Sequence, residues 1–373
     1  MPDLTNYLYK RLGVEDIPAI TGTLAKLPIY SKPSYDKKLF LFLSLLTGLY
    51  CAAQTKKPLP VIDMHLHAIG ADDQGPPPLK MGVPFDNFGY HDPKNEYGST
   101  FMEALKTGKW AKHSTSSPLT DDSLQVQTLR ALRSNNVYAV TSGDMSIVRK
   151  WHTQEPKRIM KGVYWDFRSV KKNGLTVDSL RKLFRSGEFA IFGEVAIQYE
   201  GISPSDTAFD PYLKMAEELD IPVGIHVGPG PPGVIYLGAQ KYRASLHSAL
   251  VLENALVKHP KLRLYAMHAG WPMIDDMLAV LYAHPQLYVD LGVICYHISE
   301  KEFYFYLERL VNAGFGKRIM FGSDNMVWPQ TIKIGIDRIK NATFLSEEQK
   351  RDILFNNATR FLRLTPEQIK AMY

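Results

Sequence analysis

Cysteine is scarce in this chain, whose 373 residues include only Cys51 and Cys295. Two thiols are too few for a disulfide framework or for a zinc site built from cysteines. Positive charges exceed negative ones by six at neutral pH, but no basic stripe is interleaved with aromatic residues, so nucleic-acid binding is not predicted. With 45% hydrophobic and 22% charged residues, the composition is typical of a globular protein.

The sequence also lacks an apolar run long enough to span a membrane comfortably. A shorter run, residues 39–54, follows Lys37-Lys38 and ends in small residues, which is the pattern of a secretory signal peptide. A signal should begin near the N-terminus, whereas residues 1–38 precede this one as an extension of unclear status. We expect export to a periplasmic or extracellular location, with a lipid anchor at Cys51 as one form of it. The alternative is a cytoplasmic protein in which the apolar run is a buried helix.

Residues 55–373 are predicted to form one domain, in which short apolar runs alternate with amphipathic segments eight times. This order is typical of a (β/α)8 TIM barrel. The doubly wound open sheet is the alternative, but it needs phosphate-binding glycines after its first strand, and Ala68-Ile69-Gly70-Ala71 is no such loop. The predicted strands are 61–67, 136–141, 162–167, 190–195, 222–227, 263–268, 287–291 and 318–323. The predicted helices are 122–134, 144–152, 176–186, 210–219, 244–258, 272–283, 300–313 and 331–341, with short C-terminal helices in 346–373.

Two of the predicted connections are irregular. Residues 68–120, after the first strand, are rich in proline, glycine and aspartate, and residues 228–233 follow the fifth strand. Long connections without secondary structure are usually lids or binding loops, and in a barrel both would lie at the C-terminal face, where active sites are built.

Two histidines end the first predicted strand, in the run Val61-Ile62-Asp63-Met64-His65-Leu66-His67. Because side chains alternate between the faces of a strand, His65 and His67 point the same way. Two imidazoles on one face form half of a site for a first-row metal. Taken alone, the pair is equally well read as two surface histidines near a loop.

Other polar residues recur at the ends of later strands. A buried barrel strand should be almost entirely apolar, and a charged or imidazole side chain there is costly unless it is paired or binds a metal. Any one of these residues alone is more simply a cap or a satisfied core residue, but their concentration at one end of the barrel predicts a site. They are Glu194, His226, His268 and Asp324.

This pattern resembles the amidohydrolase superfamily, and the flanking sequence is similar to its amidohydrolase-2 branch over about residues 61–364. That branch includes aminocarboxymuconate-semialdehyde decarboxylase, resorcylate decarboxylases and pyrone-dicarboxylate lactonases. The motifs that carry the resemblance are His259-Pro260-x-Leu262-Arg263, Met267-His268-Ala269-Gly270-Trp271-Pro272, Phe321-Gly322-Ser323-Asp324 and Asn357-Ala358-x-Arg360-Phe361-Leu362.

The resemblance implies that His65, His67, His226 and Asp324 are ligands of a divalent metal, most simply Zn²⁺. It implies that His268 is a catalytic or substrate-polarising residue, or a ligand of a second metal. Imidazoles and a carboxylate suit such an ion, which would lower the pKa of a water. Asp324 would accept the proton of that water, and His268 would stabilise an oxyanion or protonate the leaving group.

Glu194 leaves the number of metals open, because Gly193-Glu194 resembles the segment of superfamily members in which a glutamate bridges two ions. We expect one ion, with Glu194 near the site, and a second ion as the alternative. Asp63 shares the face of His65 and is expected to support a histidine ligand.

Three functions compete: a metal-dependent hydrolase of a C–N or C–O bond, a metal-dependent non-oxidative decarboxylase, and a barrel that binds without turnover. We favour the hydrolase over the decarboxylase because export argues against the cytoplasmic decarboxylases, and over binding without turnover because His268 and Asp324 are both present. A decarboxylase must bind the carboxylate of its substrate, usually with Arg or Lys. A small-molecule substrate is expected, and a homo-oligomer stays open. The candidate substrate-binding residues are Arg168, Tyr236, Lys241, Arg243 and Trp271.

The signal-like segment generates a prediction about processing. Protein isolated from its own host should begin near Gln54 or at a lipidated Cys51, because cleavage follows the small residues at the end of the apolar run. Mass spectrometry of the mature chain measures its first residue. An intact Met1 on protein recovered from the cytoplasm would refute export.

Overall fold

The computed structural model of the protein describes residues 58–373, in which eight parallel strands form the central sheet. Neighbouring strands follow one another in chain order, from Val61–Ala68 to Ile319–Met320, as repeated β-α-β crossovers produce. The first and last strands meet through a parallel bridge between Leu66 and Asn325, which closes the barrel. The prediction of a (β/α)8 barrel is confirmed.

The strands and helices have the following bounds. The strands are β1 Val61–Ala68, β2 Lys80–Gly82, β3 Ser114–Ser116, β4 Val137–Gly143, β5 Ile159–Trp165, β6 Ile191–Val195, β7 Val223–His226, β8 Leu264–Met267, β9 Tyr288–Asp290 and β10 Ile319–Met320. The helices are α1 Tyr97–Thr107, α2 Asp121–Ser134, α3 Met145–Gln154, α4 Phe167–Asn173, α5 Val177–Arg185, α6 Asp210–Glu218, α7 Glu253–Lys258, α8 Ile274–Ala283, α9 Ile294–His297, α10 Glu300–Leu310, α11 Gln330–Lys340, α12 Glu347–Arg351, α13 Asn357–Leu362 and α14 Pro366–Met372. All but β2 and β3 belong to the barrel sheet.

Local sequence explains where these elements begin and which face they bury. Helix α2 starts after Thr120, whose side chain accepts from the N–H of Ser123 while Ser123 bonds back to it, a reciprocal cap. Helix α5 buries Leu180 and Phe184, one helical turn apart, and exposes its charged residues. Every residue of β1 is buried, as expected for a strand covered on both faces.

The C-terminal helices cover the end of the barrel at which the strands begin. Ile62 of β1 and Tyr138 of β4 belong to a buried cluster that also contains Phe355, Phe361 and Met372. Closing this end with apolar residues leaves the opposite end, where the strands finish, as the open mouth of the barrel.

The connection after β1 differs from the expected irregular loop. It contains the antiparallel pair β2 and β3 and the helix α1. Helix α1 is capped by the Glu96 side chain, which accepts from the N–H of Ser99, and it ends at Gly108 in the left-handed region, φ 74°. The predicted helix 244–258 also differs, because short 3₁₀ segments precede the helix α7.

The signal-like segment 39–54, the extension 1–38 and Cys51 lie outside the described residues. Within residues 58–373, no helix is both long enough and apolar enough to cross a membrane.

Candidate metal centre

The two histidines of β1 come together at the mouth of the barrel. His65 and His67 are buried, and their Nε2 atoms lie 3.2 Å apart. Two unprotonated imidazole nitrogens repel each other at this distance, so they need a shared proton or cation between them.

Two carboxylates complete this group. Oε2 of Glu194 lies 3.6 Å from Nε2 of His65 and 3.3 Å from Nε2 of His67, and Oδ1 of Asp324 lies 3.4 and 3.0 Å from the same two nitrogens. Metal–ligand bonds of about 2.0–2.2 Å place neighbouring ligand atoms roughly 3.0–3.5 Å apart. Five of the six distances among these atoms therefore match the spacing of neighbouring ligands of a first-row cation, and we call the four atoms the four-donor shell.

His226 and His268 lie beside the four-donor shell, against the second oxygen of Glu194. Nδ1 of His226 is 2.5 Å from Oε1 of Glu194 and 3.0 Å from Nε2 of His268. Nε2 of His268 is 4.0 Å from the same oxygen. His226 thus contacts Glu194 and His268, and its assignment as a metal ligand stays a prediction. Glu194 was expected near the site. Its Oε2 faces His65 and His67, and its Oε1 faces His226 and His268.

The orientation of His268 is set by its other nitrogen. Nδ1 lies 2.9 Å from the carbonyl oxygen of Gly292, so Nδ1 carries the proton and Nε2 faces Glu194 without one. The backbone of His268 has φ 64° and that of Asp324 has φ 49°, a region that non-glycine residues rarely occupy and that is typical of functional sites.

Asp290, which sequence reasoning missed, supports this arrangement from the end of β9. Its Oδ1 accepts from the N–H groups of His268 and Gly292, at 2.9 and 2.8 Å, and its Oδ2 lies 3.3 Å from Nδ1 of His65. A carboxylate held against a ligand's second nitrogen fixes the ring orientation. The available signal was a charged residue inside the predicted strand 287–291.

Asp63 holds backbone atoms of the site. Its Oδ1 accepts from the N–H of His65 at 3.0 Å and from the N–H of Ser323 at 2.8 Å. The contact with His65 therefore runs through the amide and not through the imidazole. Burial raises the pKa of Asp63 to about 6, despite these two bonds.

Glycines provide the room that His65 needs. A Cβ on Gly292 would lie 2.6 Å from Nδ1 of His65, and a Cβ on Gly322 would lie 2.9 Å from its Cβ. Both distances are below any normal contact, so a side chain at either position would displace the imidazole.

The electrostatics of the buried group favour a positive charge between the donors. Burial by itself lowers the pKa of His67, but Asp324 and Glu194 raise it to about 9. Burial raises the pKa of Glu194, yet its bonds to the histidines, first of all His226, bring it well below its usual range. The two ionised carboxylates therefore bind either a proton on an imidazole or a cation in its place. Within residues 58–373, two groups of side chains have ligand atoms close enough together to hold a metal ion. One group is His65, Glu194 and His268, and the other is His65, His67 and Asp324.

Of the five residues predicted to contact substrate, three line a cleft of about 1360 Å³ at the mouth of the barrel: Tyr236, Arg243 and Trp271. Lys241 and Arg168 do not line it. The guanidinium of Arg168 lies 2.5 Å from the carboxylate of Asp166, so the charge of Arg168 is paired within its own loop. The cleft also takes in part of the long connection after β1, including Phe88 and Tyr97.

Comparison with known proteins finds one matching family and several solved structures with a similar fold. The model of the amidohydrolase family matches residues 62–364, and no curated protein matches the chain significantly. Among solved structures, a probable 2-pyrone-4,6-dicarboxylic acid hydrolase from Acinetobacter baumannii, with citric acid bound, is 14% identical, with 82% of this chain and 100% of that one covered and a TM-score of 0.51.

Two further structures are similar. An uncharacterised TIM-barrel protein from Bordetella bronchiseptica is 15% identical, with 84% of this chain and 100% of that one covered and a TM-score of 0.52. A dihydroxybenzoic acid decarboxylase from Polaromonas sp. JS666, with bound manganese and the inhibitor 2-nitroresorcinol, is 12% identical, with 83% and 99% covered and a TM-score of 0.51. At these identities the structures show a shared fold, and a shared fold does not fix a reaction.

The four-donor shell predicts loss of metal when its nitrogens are removed. The double substitution His65→Ala and His67→Ala should strip most bound metal and abolish activity, because it leaves two buried carboxylates without imidazole partners. Elemental analysis of purified protein measures the metal. The matched control, His113→Ala with His284→Ala, removes two histidines outside the shell and should keep normal metal. Normal metal content in the first variant would exclude this site.

Substitution of Glu194 is expected to weaken metal binding without changing the number of metal ions bound per chain. We expect one ion per chain in the native protein, and one in Glu194→Gln held on the order of 10–100-fold more weakly, because the amide keeps the shape of the carboxylate but not its charge. Metal titration followed by mass spectrometry measures both quantities. The control Glu188→Gln, at an exposed ion pair with Arg149, should match the native protein. Two ions in the native chain and one in Glu194→Gln would instead make Glu194 a bridge.

Proposed function

This chain belongs to the amidohydrolase-2 branch of the amidohydrolase superfamily, and from that premise we propose that it is a metal-dependent hydrolase acting on a C–N or C–O bond of a small molecule. The observation that carries the proposal is the four-donor shell, in which each histidine nitrogen lies 3.0–3.6 Å from the other and from both carboxylate oxygens, next to His268. Nitrogen and oxygen donors at this spacing suit one divalent ion, and we propose Zn²⁺. When bound, such an ion polarises a substrate oxygen and lowers the pKa of a water toward neutrality.

Asp324 is proposed as the base. Its Oδ1 belongs to the four-donor shell, while its Oδ2 is turned toward His268, 4.0 Å from Nδ1. Its backbone is held by the N–H of Asp324, which donates to the carbonyl oxygen of His65 at 2.6 Å, and by the hydroxyl of Tyr296, which donates to the carbonyl oxygen of Asp324. A carboxylate fixed in this way can accept the proton of an attacking water.

His268 is proposed to protonate the leaving group. Burial, with a smaller contribution from His226, lowers its pKa to about 4, so its resting form is neutral. Its proton at Nδ1 is held by Gly292, which leaves Nε2 to take up and release a proton on the side of Glu194. An imidazole with a low pKa releases its proton readily, as a general acid must.

The cationic residues favour a hydrolase over a decarboxylase. Recognition of a substrate carboxylate needs an available Arg or Lys. The guanidinium of Arg243 donates to the carbonyl oxygens of Gln240 and Tyr242, at 2.9 and 2.7 Å, and Arg168 is paired with Asp166. Glu96 adds a negative charge to the cleft. With Arg168 paired to Asp166, Nη1 of Arg243 bonded to backbone oxygens and Glu96 in the same cleft, we propose that an uncharged substrate is bound in preference to an acid.

The proposed class is tested by screening the purified, metal-loaded protein on lactones, esters, amides and hydroxybenzoates. Hydrolysis is measured as acid release, and decarboxylation is measured as release of carbon dioxide. We expect acid release from at least one uncharged substrate. Release of carbon dioxide from a hydroxybenzoate, without hydrolysis of any uncharged compound, would replace this proposal with the decarboxylase.

On the substrate found, Asp324→Asn should lower turnover by roughly 10²–10⁴-fold, the usual range for loss of a general base. Metal should be largely retained, since the amide keeps one oxygen in place. Steady-state kinetics at equal metal loading measures the effect, and Asp178→Asn, on the exposed first turn of α5, is the control. Turnover within a few-fold of the native value would make His268 the next candidate for the base.

A further inference from the structure

The cleft above the metal centre has aromatic walls that come from different connections of the barrel. Phe88 and Tyr97 belong to the connection after β1, Tyr236 to the connection after β7, and Trp271 follows β8. The rings of Tyr97 and Tyr236 are 5.9 Å apart, and the hydroxyl of Tyr97 donates to the carbonyl oxygen of Pro232 at 2.9 Å. The two long connections are therefore tied together on one side of the cleft.

Two of these rings are open to an incoming ligand. Phe88 is 43% exposed and Tyr236 is 67% exposed, although large aromatic side chains are usually buried more completely. Phe88 packs edge-on against Trp110, at 6.3 Å between ring centroids, which holds it in place. Exposed but positioned aromatic rings favour stacking on a flat apolar group.

The charge of the cleft is balanced and low. Among the lining residues in the described part of the chain, Arg243 is the one Arg or Lys and Glu96 is the one Asp or Glu. Three histidines, His91, His247 and His297, also line it. Apart from its histidines the lining thus carries one charge of each sign, in contrast to the cluster of carboxylates in the metal centre.

Aromatic contacts connect the cleft to the metal centre. Tyr242 lines the cleft, and its hydroxyl donates to the carbonyl oxygen of Gly228, two residues beyond His226. The ring of Tyr199 stacks on Tyr242 at 5.6 Å and lies 4.9 Å from the ring of His226. A group held in the cleft therefore lies one aromatic layer away from the proposed catalytic residues.

We propose that the cleft binds an uncharged aromatic group, and that the substrates are neutral aryl esters or aryl lactones and not aromatic carboxylates. The statement about substrates rests on the proposed function, whereas the statement about binding does not. Hydrolysis of such a lactone adds the hydroxyl of water to the acyl carbon and breaks the acyl C–O bond. The remaining proton goes to the phenolic oxygen that leaves.

The test compares three probes that separate the ring from the charge. Dihydrocoumarin is neutral and aromatic, δ-valerolactone is neutral without a ring, and benzoate is aromatic and anionic. Calorimetry measures their binding to metal-stripped native protein and to Asp324→Asn, in which turnover is slow. We expect dihydrocoumarin to bind at least about tenfold more tightly than either other probe, since only it satisfies both the stacking and the neutrality of the cleft.

Variants assign the binding to the walls. Trp271→Ala and Tyr236→Ala should each weaken dihydrocoumarin by roughly 3–10-fold, the value of one aromatic contact, and leave δ-valerolactone unchanged. Tyr236 is exposed, so its substitution should not disturb folding. Tyr282→Ala, 86% exposed on α8 and absent from the lining of the cleft, is the control and should bind like the native protein.

Each part can fail separately. Benzoate binding as tightly as dihydrocoumarin would overturn the neutrality of the cleft, and equal binding of δ-valerolactone or no effect of either variant would overturn the aromatic contact. If the binding pattern holds while the metal-loaded protein hydrolyses neither lactone nor any aryl ester, the cleft inference stands for binding and the statement about substrates fails; the proposed function fails only if no uncharged compound of the wider screen is hydrolysed.

Discussion

The structure depends on one electrostatic constraint: two carboxylates, Glu194 and Asp324, are buried among imidazoles at the mouth of the barrel. The effective penalty for burying an ion in a protein is several kcal/mol, and it is recovered only with well-placed partners. Here the partners are nitrogens between 2.5 and 3.6 Å away. The shell thus requires a positive charge at its centre, which is the property that makes it a cation site.

The surrounding fold stabilises this buried group, although the backbone conformations that the group needs are energetically unfavourable. His268 and Asp324 occupy the left-handed backbone region, which costs about 1–3 kcal/mol for each residue. Asp290 stabilises the first by accepting from its N–H, and Asp63 fixes the approach to the second through Ser323. These two carboxylates act on the backbone, so the conformations of the catalytic candidates depend on residues that do not face the substrate.

The sequence predicted the barrel and the residues at the strand ends because both follow from short periods. Alternation on β1 places His65 and His67 on one face, and the carboxyl ends of parallel strands meet at one mouth. It did not predict which oxygen of Glu194 faces which group, since this depends on side-chain rotamers. Arg168 and Lys241 were assigned to substrate from their loops alone; neither lines the cleft, and the guanidinium of Arg168 pairs with Asp166. Helix α1 was missed because its residues are surrounded by proline, glycine and aspartate.

Different parts of the fold form the metal centre and the cleft, and this separation explains how such a barrel can come to bind a particular substrate. The metal centre is built from strand ends, whose positions the hydrogen-bonded sheet fixes. The cleft is built from connections, which tolerate change without disturbing the core. Here the connections supply rings with little net charge, while the four-donor shell supplies the charge. In this proposal a substrate is bound by stacking in the cleft and converted by the charged groups of the metal centre. Changes in Phe88 or Tyr236 should therefore alter which molecule is bound, whereas changes in Asp324 should alter whether it reacts.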